Sequence, residues 1–393
     1  MPRPVARAAV PAGPEPPAYY SARFTSAMPA LAWTHLGGRA RVSKHDSRRP
    51  TQVGMQLGSM GSAAASLHTI AIDGQRCPVR SELHSALGIR QLASVSMVGY
   101  DAGNREKLNQ DDMVGDAAFL DASSGFFAVM DGHGLHGDRC SNFLVRSIPY
   151  ALREKLHGAP PSVQRAMRSL STVREKAELD KAIKEVFLAT NKALHASPID
   201  TMLSGSTCCA LLLLGKQLVT ANVGDSRCIA AHFQMRAGRL TLVARALTTD
   251  HKPDSPTEKA RIISRGGRVE PWAGAGLDDI QRVWLRDEET PGIAMSRSFG
   301  DDLAATVGIV AEPEVQFFEL SDDLAFVLIA SDGVWEFMSD QEVVDSIWLK
   351  RQMHGLTFHE AVDAVALESS AKWAENEGIV DDITILALAF MEV

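Results

Sequence analysis

An α+β fold, with sheets packed inside and helices outside, is what this 393-residue chain predicts. Short apolar or β-branched runs recur from about residue 91 onward. Patterns of helical spacing come in pairs between groups of those runs. The strict strand-helix-strand alternation of a parallel sheet is missing.

The runs predicted as strands are 92–98, 125–130, 206–214, 218–223, 240–246, 324–330 and 383–390. Cys140, Phe143, Leu144, Ile148, Leu152 and Leu156 fall on one helical face, as do Leu179, Ile183, Val186, Phe187, Thr190 and Leu194. Two later helices open with capping-box patterns, Ser339 to Glu342 and Thr357 to Glu360. No repeat is visible, and nothing in 91–393 marks a second domain boundary. Residues 1–65 are rich in Pro, Ala, Gly, Ser and Arg without a sustained apolar period, so they read as a disordered basic extension. Residues 66–90 are a linker or the start of the domain.

Composition narrows the function. With 45% apolar and 22% charged residues the chain has the balance of a soluble globular protein. Residues 1–51 carry eight Lys/Arg against only Glu15 and Asp46, so the net charge of -8 understates the acidity of the remainder. Acids gathered in short motifs suit cation binding and argue against a nucleic-acid groove. Five cysteines without C-x-x-C spacing give neither a disulfide framework nor a zinc site. The longest apolar run, 208–214, is far short of the ~20 residues that cross a bilayer. Pro2 stands where a myristoylation signal needs glycine. A monomer without a membrane anchor is expected, cytoplasmic or nuclear. The Arg-rich extension leaves organelle import as an alternative, against which its prolines argue.

Four aspartate motifs stand at the ends of predicted strands or in adjoining turns: Asn109-Gln110-Asp111-Asp112, Asp131-Gly132-His133-Gly134, Ser331-Asp332-Gly333-Val334 and Asp381-Asp382. Twice an apolar strand runs into Asp-Gly. One such pair alone reads as a turn. Four converging carboxylates read as an oxygen-only site for a hard cation such as Mg²⁺ or Mn²⁺. Asp112 and Asp382 read as solvated neighbours, and Asp121, Asp200 and Asp340 as turn or cap residues. No EF-hand loop is present. His133, two residues after Asp131 and between glycines, is placed to deliver a proton to a leaving group.

In their order along residues 91–393 these motifs resemble the protein phosphatase 2C, or metal-dependent PPM, family. Gly205-Ser206-Thr207, Val223-Gly224-Asp225-Ser226-Arg227, Thr249-Asp250-His251-Lys252-Pro253, Ser296-Arg297-Ser298-Phe299-Gly300-Asp301 and Asp381-Asp382-Ile383-Thr384 extend the match. The resemblance implies a four-layer α-β-β-α sandwich of two antiparallel sheets flanked by helix pairs. It also implies a phosphoserine/phosphothreonine phosphatase acting on phosphorylated proteins, with two Mn²⁺ or Mg²⁺ ions and a weaker third. Asp131 would bridge two ions, the Gly132 carbonyl would serve one, and Asp332 and Asp381 the other. Asp111 would orient water at the ions, and Asp225 with Asp332 would hold the third. His133 would protonate the departing alkoxide.

The chain departs from the family at two positions. Gln110 replaces a common acid, and the phosphate-binding arginine position falls on Glu106, leaving Arg105 or Lys107 to meet the phosphate. Glu336 fills the place of another frequent acid. The segment 271–291 corresponds to the flap beside the cleft, or else is a surface loop. No cysteine heads a phosphate-cradling C-x₅-R loop: Cys140 and Arg146 have that spacing but fall within a predicted helix. A phosphatase-like module that only binds phosphoproteins or kinases would be expected to have lost a metal aspartate, and Asp111, Asp131, Asp332 and Asp381 are all present.

Overall fold

The computed structural model describes residues 87–101, 107–159, 172–272 and 280–392. The expected extension, residues 66–86 of the linker, and Arg105 lie outside the described residues. In chain order the elements are β1 (Gln91–Met97), β2 (Asp111–Asp116), β3 (Ser124–His133), α1 (Gly137–His157), α2 (Val173–His195), β4 (Gly205–Ser206), β5 (Cys208–Leu214), β6 (Gln217–Val223), β7 (Arg227–Arg236) and β8 (Arg239–Ala246). They continue with α3 (Pro256–Ser264), β9 (Arg268–Glu270), β10 (Arg282–Trp284), β11 (Pro291–Ile293), β12 (Phe299–Gly300), α4 (Asp302–Ala305), β13 (Glu314–Glu319), β14 (Leu324–Ala330), α5 (Asp332–Trp335), α6 (Asp340–His354), α7 (Phe358–Asn376) and β15 (Ile383–Ala389).

Two antiparallel sheets form the middle layers. One has the order β1-β15-β14-β7-β8, and the other runs β12-β4-β3-β5-β6-β13 with β2 on the side of β3. Helices α1 and α2 cover the second sheet, and α6 and α7 cover the first. The expected four-layer sandwich is therefore the observed one. Strands β5 and β14 are apolar at every position because both their faces are covered. On β5, Cys208, Ala210, Leu212 and Leu214 face the α1/α2 layer, while Cys209, Leu211 and Leu213 face the other sheet. On β14, Phe326 and Leu328 meet α6 and α7, and Val327 and Ile329 fill the space between sheets. Each Leu, Ile, Val or Phe among them contributes about 1.5–3 kcal/mol by leaving water.

Both expected capping boxes are formed: Ser339 and Thr357 accept from the backbone of Glu342 and Glu360, whose carboxylates return the bond. Strands β2, β7 and β13 were not expected. β2 and β13 are half-buried edge strands of mixed polarity, and β7 has only the short apolar run Cys228 to Ala231 before its second half runs out into solvent. A separate three-stranded sheet, β11-β10-β9, occupies the expected flap region. It is more than a surface loop. Val269 and Val283 pack with Ile262 of α3 and with Ile309, and Trp284 is fully buried.

Candidate metal centre

Strand register brings the aspartates together. On β2 and β3, Asp111 lies directly opposite Asp131. β14 ends at Ala330 beside Ile385 of β15, so Asp332 after the first strand and Asp381 before the second lie at the same end of the pair. Ser331 joins the strands: its hydroxyl donates to Asp111 Oδ2 at 2.8 Å and accepts from the Thr384 amide at 3.0 Å. Asp131 is fixed by Thr207, whose Oγ1 accepts from the Asp131 amide at 3.0 Å and whose amide donates to the Asp131 carbonyl at 2.8 Å. Ser226 Oγ lies 2.7 Å from that same Thr207 hydroxyl. Gly132 must be glycine, because a Cβ there would stand 2.3 Å from the Gly137 carbonyl oxygen and 2.5 Å from that of Gln110.

Gathering these acids is electrostatically costly. Burial, followed by the charge of Asp382, pushes Asp111 up to about 7 despite hydrogen bonds from Ser331 and Thr384. Asp131 is raised well above the usual carboxylate range by burial and then by Asp111, Asp332, Asp381 and Asp225. Asp332 is raised likewise, by burial and then Asp225 and Asp381, and it shares a hydrogen bond with Asp131. Buried oxygens Asp111 Oδ1 and Asp225 Oδ1 have no hydrogen-bond partner. Carboxylates that repel one another and leave oxygens unmatched are suited to a divalent cation.

Two lysines partly offset the charge. Lys107 Nζ donates to Asp381 Oδ1 at 2.5 Å, and Lys252 Nζ donates to Asp225 Oδ2 at 2.6 Å. Among the described residues, no three His, Cys, Asp or Glu side chains are grouped closely enough to hold an ion as they stand. The fit to a metal thus rests on donor chemistry and unmatched oxygens. Lys107, expected beside the phosphate, pairs here with Asp381, an expected metal ligand. Lys252 belongs to the motif at 249–253, and nothing local in the sequence marks its pairing with Asp225.

His133 Nε2 lies 2.7 Å from Asp301 Oδ2, and its Nδ1 is buried without a partner. Burial lowers its proton affinity, but Asp301 by charge and hydrogen bond leaves it raised above the usual histidine value. Gln110, in place of an acid, donates its side-chain amide to the Gly134 carbonyl at 2.7 Å and so braces the Asp131–Gly134 turn. Asp382 corrects the sequence reading. It is not a solvated neighbour but 4% exposed, accepting from the backbone amides of Gly99 at 2.8 Å and Gln110 at 2.9 Å. Asp112 remains half-buried and accepts from Asn142. Glu336 is exposed at the end of α5, and Asp340 opens α6 and pairs with Arg227 at 2.6 Å.

The family model for protein phosphatase 2C matches residues 98–378. The chain belongs to this family. Among its relatives, "Probable protein phosphatase 2C 35" of Arabidopsis thaliana is 34% identical over 277 residues, spanning 66% of this chain and 72% of the relative. "Probable protein phosphatase 2C 61" of the same plant is 32% identical over 336 residues, spanning 85% of this chain and 95% of the relative. The fold is shared with the crystal structure of a serine-threonine phosphatase 2C from Toxoplasma gondii, at a TM-score of 0.62 and 22% identity, covering 76% of this chain and 94% of that one. Protein phosphatase 2C enzymes are metal-dependent and dephosphorylate serine and threonine in proteins, so phosphoproteins are the substrates of this chain.

Proposed function

We propose that this phosphatase 2C domain hydrolyses phosphoserine and phosphothreonine esters at two Mn²⁺ or Mg²⁺ ions held by Asp131, the Gly132 carbonyl, Asp332 and Asp381, with Asp111 alongside. The observation that carries this reading is that Asp131 lies within electrostatic reach of Asp111, Asp332 and Asp381, with Asp111 directly opposite it on β2 and a buried oxygen of Asp111 left unmatched. When bound, the ions supply a water acidic enough to act near neutral pH and positive charge for the phosphoryl oxygens.

The chain's own residues supply the rest. Asp111 accepts a hydrogen bond from the attacking water and aligns it, while Ser331 keeps that carboxylate in place. Lys107, or Arg105, meets a non-bridging oxygen of the phosphoryl group, with Arg105 offering the bidentate geometry. His133 gives its proton to the serine or threonine oxygen as the P–O bond breaks. Asp225 with Asp332 would hold a weaker third ion, in place of the ion pair that Lys252 makes with Asp225.

A phosphothreonine peptide tests the proposal. Phosphate release with Mn²⁺ or Mg²⁺, lost in EDTA and restored by added metal, is expected. Release that continues unchanged in EDTA would overturn it, and a protein that binds the peptide without turnover would point to a binding module.

A further inference from the structure

His133 and Asp301 are 168 residues apart in sequence, yet the second sheet brings them together through one intervening residue. His133 on β3 pairs with Gly205 on β4, and Gly205 pairs with Gly300 on β12, so Asp301 follows directly on the far side of Gly205. Its carboxylate passes over that glycine to reach the imidazole. A Cβ at position 205 would stand 2.3 Å from Asp301 Oδ2, which explains why the position between the two residues has no side chain.

Asp301 is held firmly for this contact. It is 3% exposed, its Oδ2 also accepts from Ser298 Oγ at 2.6 Å, and its amide donates to the Ser204 carbonyl at 3.0 Å. Its backbone is left-handed, at φ 51 and ψ 52, a conformation that costs a non-glycine residue energy and that persists where surrounding contacts enforce it. With Nε2 engaged by Asp301, the nitrogen left without a partner is Nδ1.

We propose that Asp301 is a positioning residue for His133: it holds the Nε2–H, fixes the plane of the ring, and leaves Nδ1 to face the reaction. The inference rests on reading His133 as the proton donor. In the step it describes, the bond from phosphorus to the serine or threonine oxygen breaks and that oxygen takes the Nδ1 proton. The Nε2 proton stays in its hydrogen bond to Asp301 throughout. A misaligned ring loses the proton transfer without losing substrate binding.

The test compares Asp301→Asn, His133→Ala and the double variant on a phosphothreonine peptide and on p-nitrophenyl phosphate at saturating Mn²⁺. Asparagine tolerates the left-handed backbone, and circular dichroism melts monitor the fold. Proton delivery matters for an alkoxide and little for nitrophenolate, so His133→Ala should be selective, lowering peptide kcat by ~10²–10⁴-fold. Asp301→Asn should lower peptide kcat by about 10- to 100-fold, the range for losing a partner that orients a functional histidine, with KM and p-nitrophenyl phosphate turnover nearly unchanged. The double variant should be no slower than His133→Ala alone. Selective loss in His133→Ala with wild-type rates in Asp301→Asn overturns the inference alone. So do additive losses in the double variant. If His133→Ala slows both substrates equally, the proton-donor reading and the inference fall together.

Discussion

Lys107 donates from Nζ to Asp381 Oδ1 at 2.5 Å and stands 3.6 Å from Asp382 Oδ2, so a cation of the chain engages a carboxylate proposed to hold metal. Burial opposes its charge, but Asp381 and Asp382 outweigh burial and raise its proton affinity. Lys107 and the ion therefore compete for Asp381. Lys107→Met should lower the Mn²⁺ concentration for half-maximal activity several-fold. The same change should reduce kcat/KM on a phosphothreonine peptide by about tenfold, since hydrogen bonds to charged groups contribute about 1.5–3 kcal/mol. A Mn²⁺ titration of both proteins checks this, and a rise in the half-saturating concentration would show that Lys107 helps build the site.

His251 ties the motif at 249–253 to the turn after β6. It is 2% exposed, and its Nδ1 accepts from the Gly224 amide at 3.1 Å. Burial, then the charge of Arg297, push its pKa down to about 4, against the partial opposition of Glu258 and Glu314. The unfolded chain takes up this proton near pH 6.5 and the folded one only near 4, so folding loses stability as pH falls between those values. The loss from this group is roughly 3 kcal/mol by pH 4. Urea unfolding at several pH values should show that slope, and His251→Gln should flatten it. An equal slope in the variant would assign the acid sensitivity elsewhere.

Glu258 anchors α3 to the segment that carries Asp301. It is 4% exposed and accepts from both nitrogens of the Arg261 fork, from Arg297 and from Ser296 Oγ at 2.7 Å. Burial alone would raise its pKa, but the bonds from Arg297, Arg261 and Ser296 hold it well below the usual range. Glu258→Gln leaves two arginines short of their counter-charge and should destabilise the protein by about 3–5 kcal/mol at pH 7. The ionised carboxylate stabilises above its unfolded pKa, and that benefit is lost as pH falls through the folded value. The gap between variant and wild type should accordingly narrow below about pH 4.5. Denaturant melts at pH 7 and at acid pH measure it; a constant gap would mean packing, not charge, is what Glu258 supplies.

The parts of this architecture that could be read from the sequence are those set by local pattern. The all-apolar runs at 208–214 and 324–330 mark strands buried on both faces, and Ser339 and Thr357 announce their helices through side chains that cap them. The proposed metal aspartates are visible because each ends a strand or sits in a turn beside one. Edge strands such as β2 escape, since a half-buried strand reading Asp-Asp-Met-Val-Gly-Asp has no apolar run. Long-range pairings also escape. Nothing in Asp381-Asp382 says that the second carboxylate turns inward to bind the amides of Gly99 and Gln110 while the first meets Lys107. The contact of His133 with Asp301 depends on strand order, and only the sheet reveals it.

Counting Mn²⁺ bound to the wild-type protein, Asp131→Asn and Asp332→Asn by calorimetric titration, with turnover of a phosphothreonine peptide measured on the same samples, tests the dinuclear site most directly. Two ions on the wild type are predicted. Each variant should keep its circular dichroism spectrum while losing metal binding and nearly all turnover, because the carboxylate removed is one that burial and its neighbours already disfavour as an anion. Near-normal turnover in either variant at saturating Mn²⁺ would contradict the assignment.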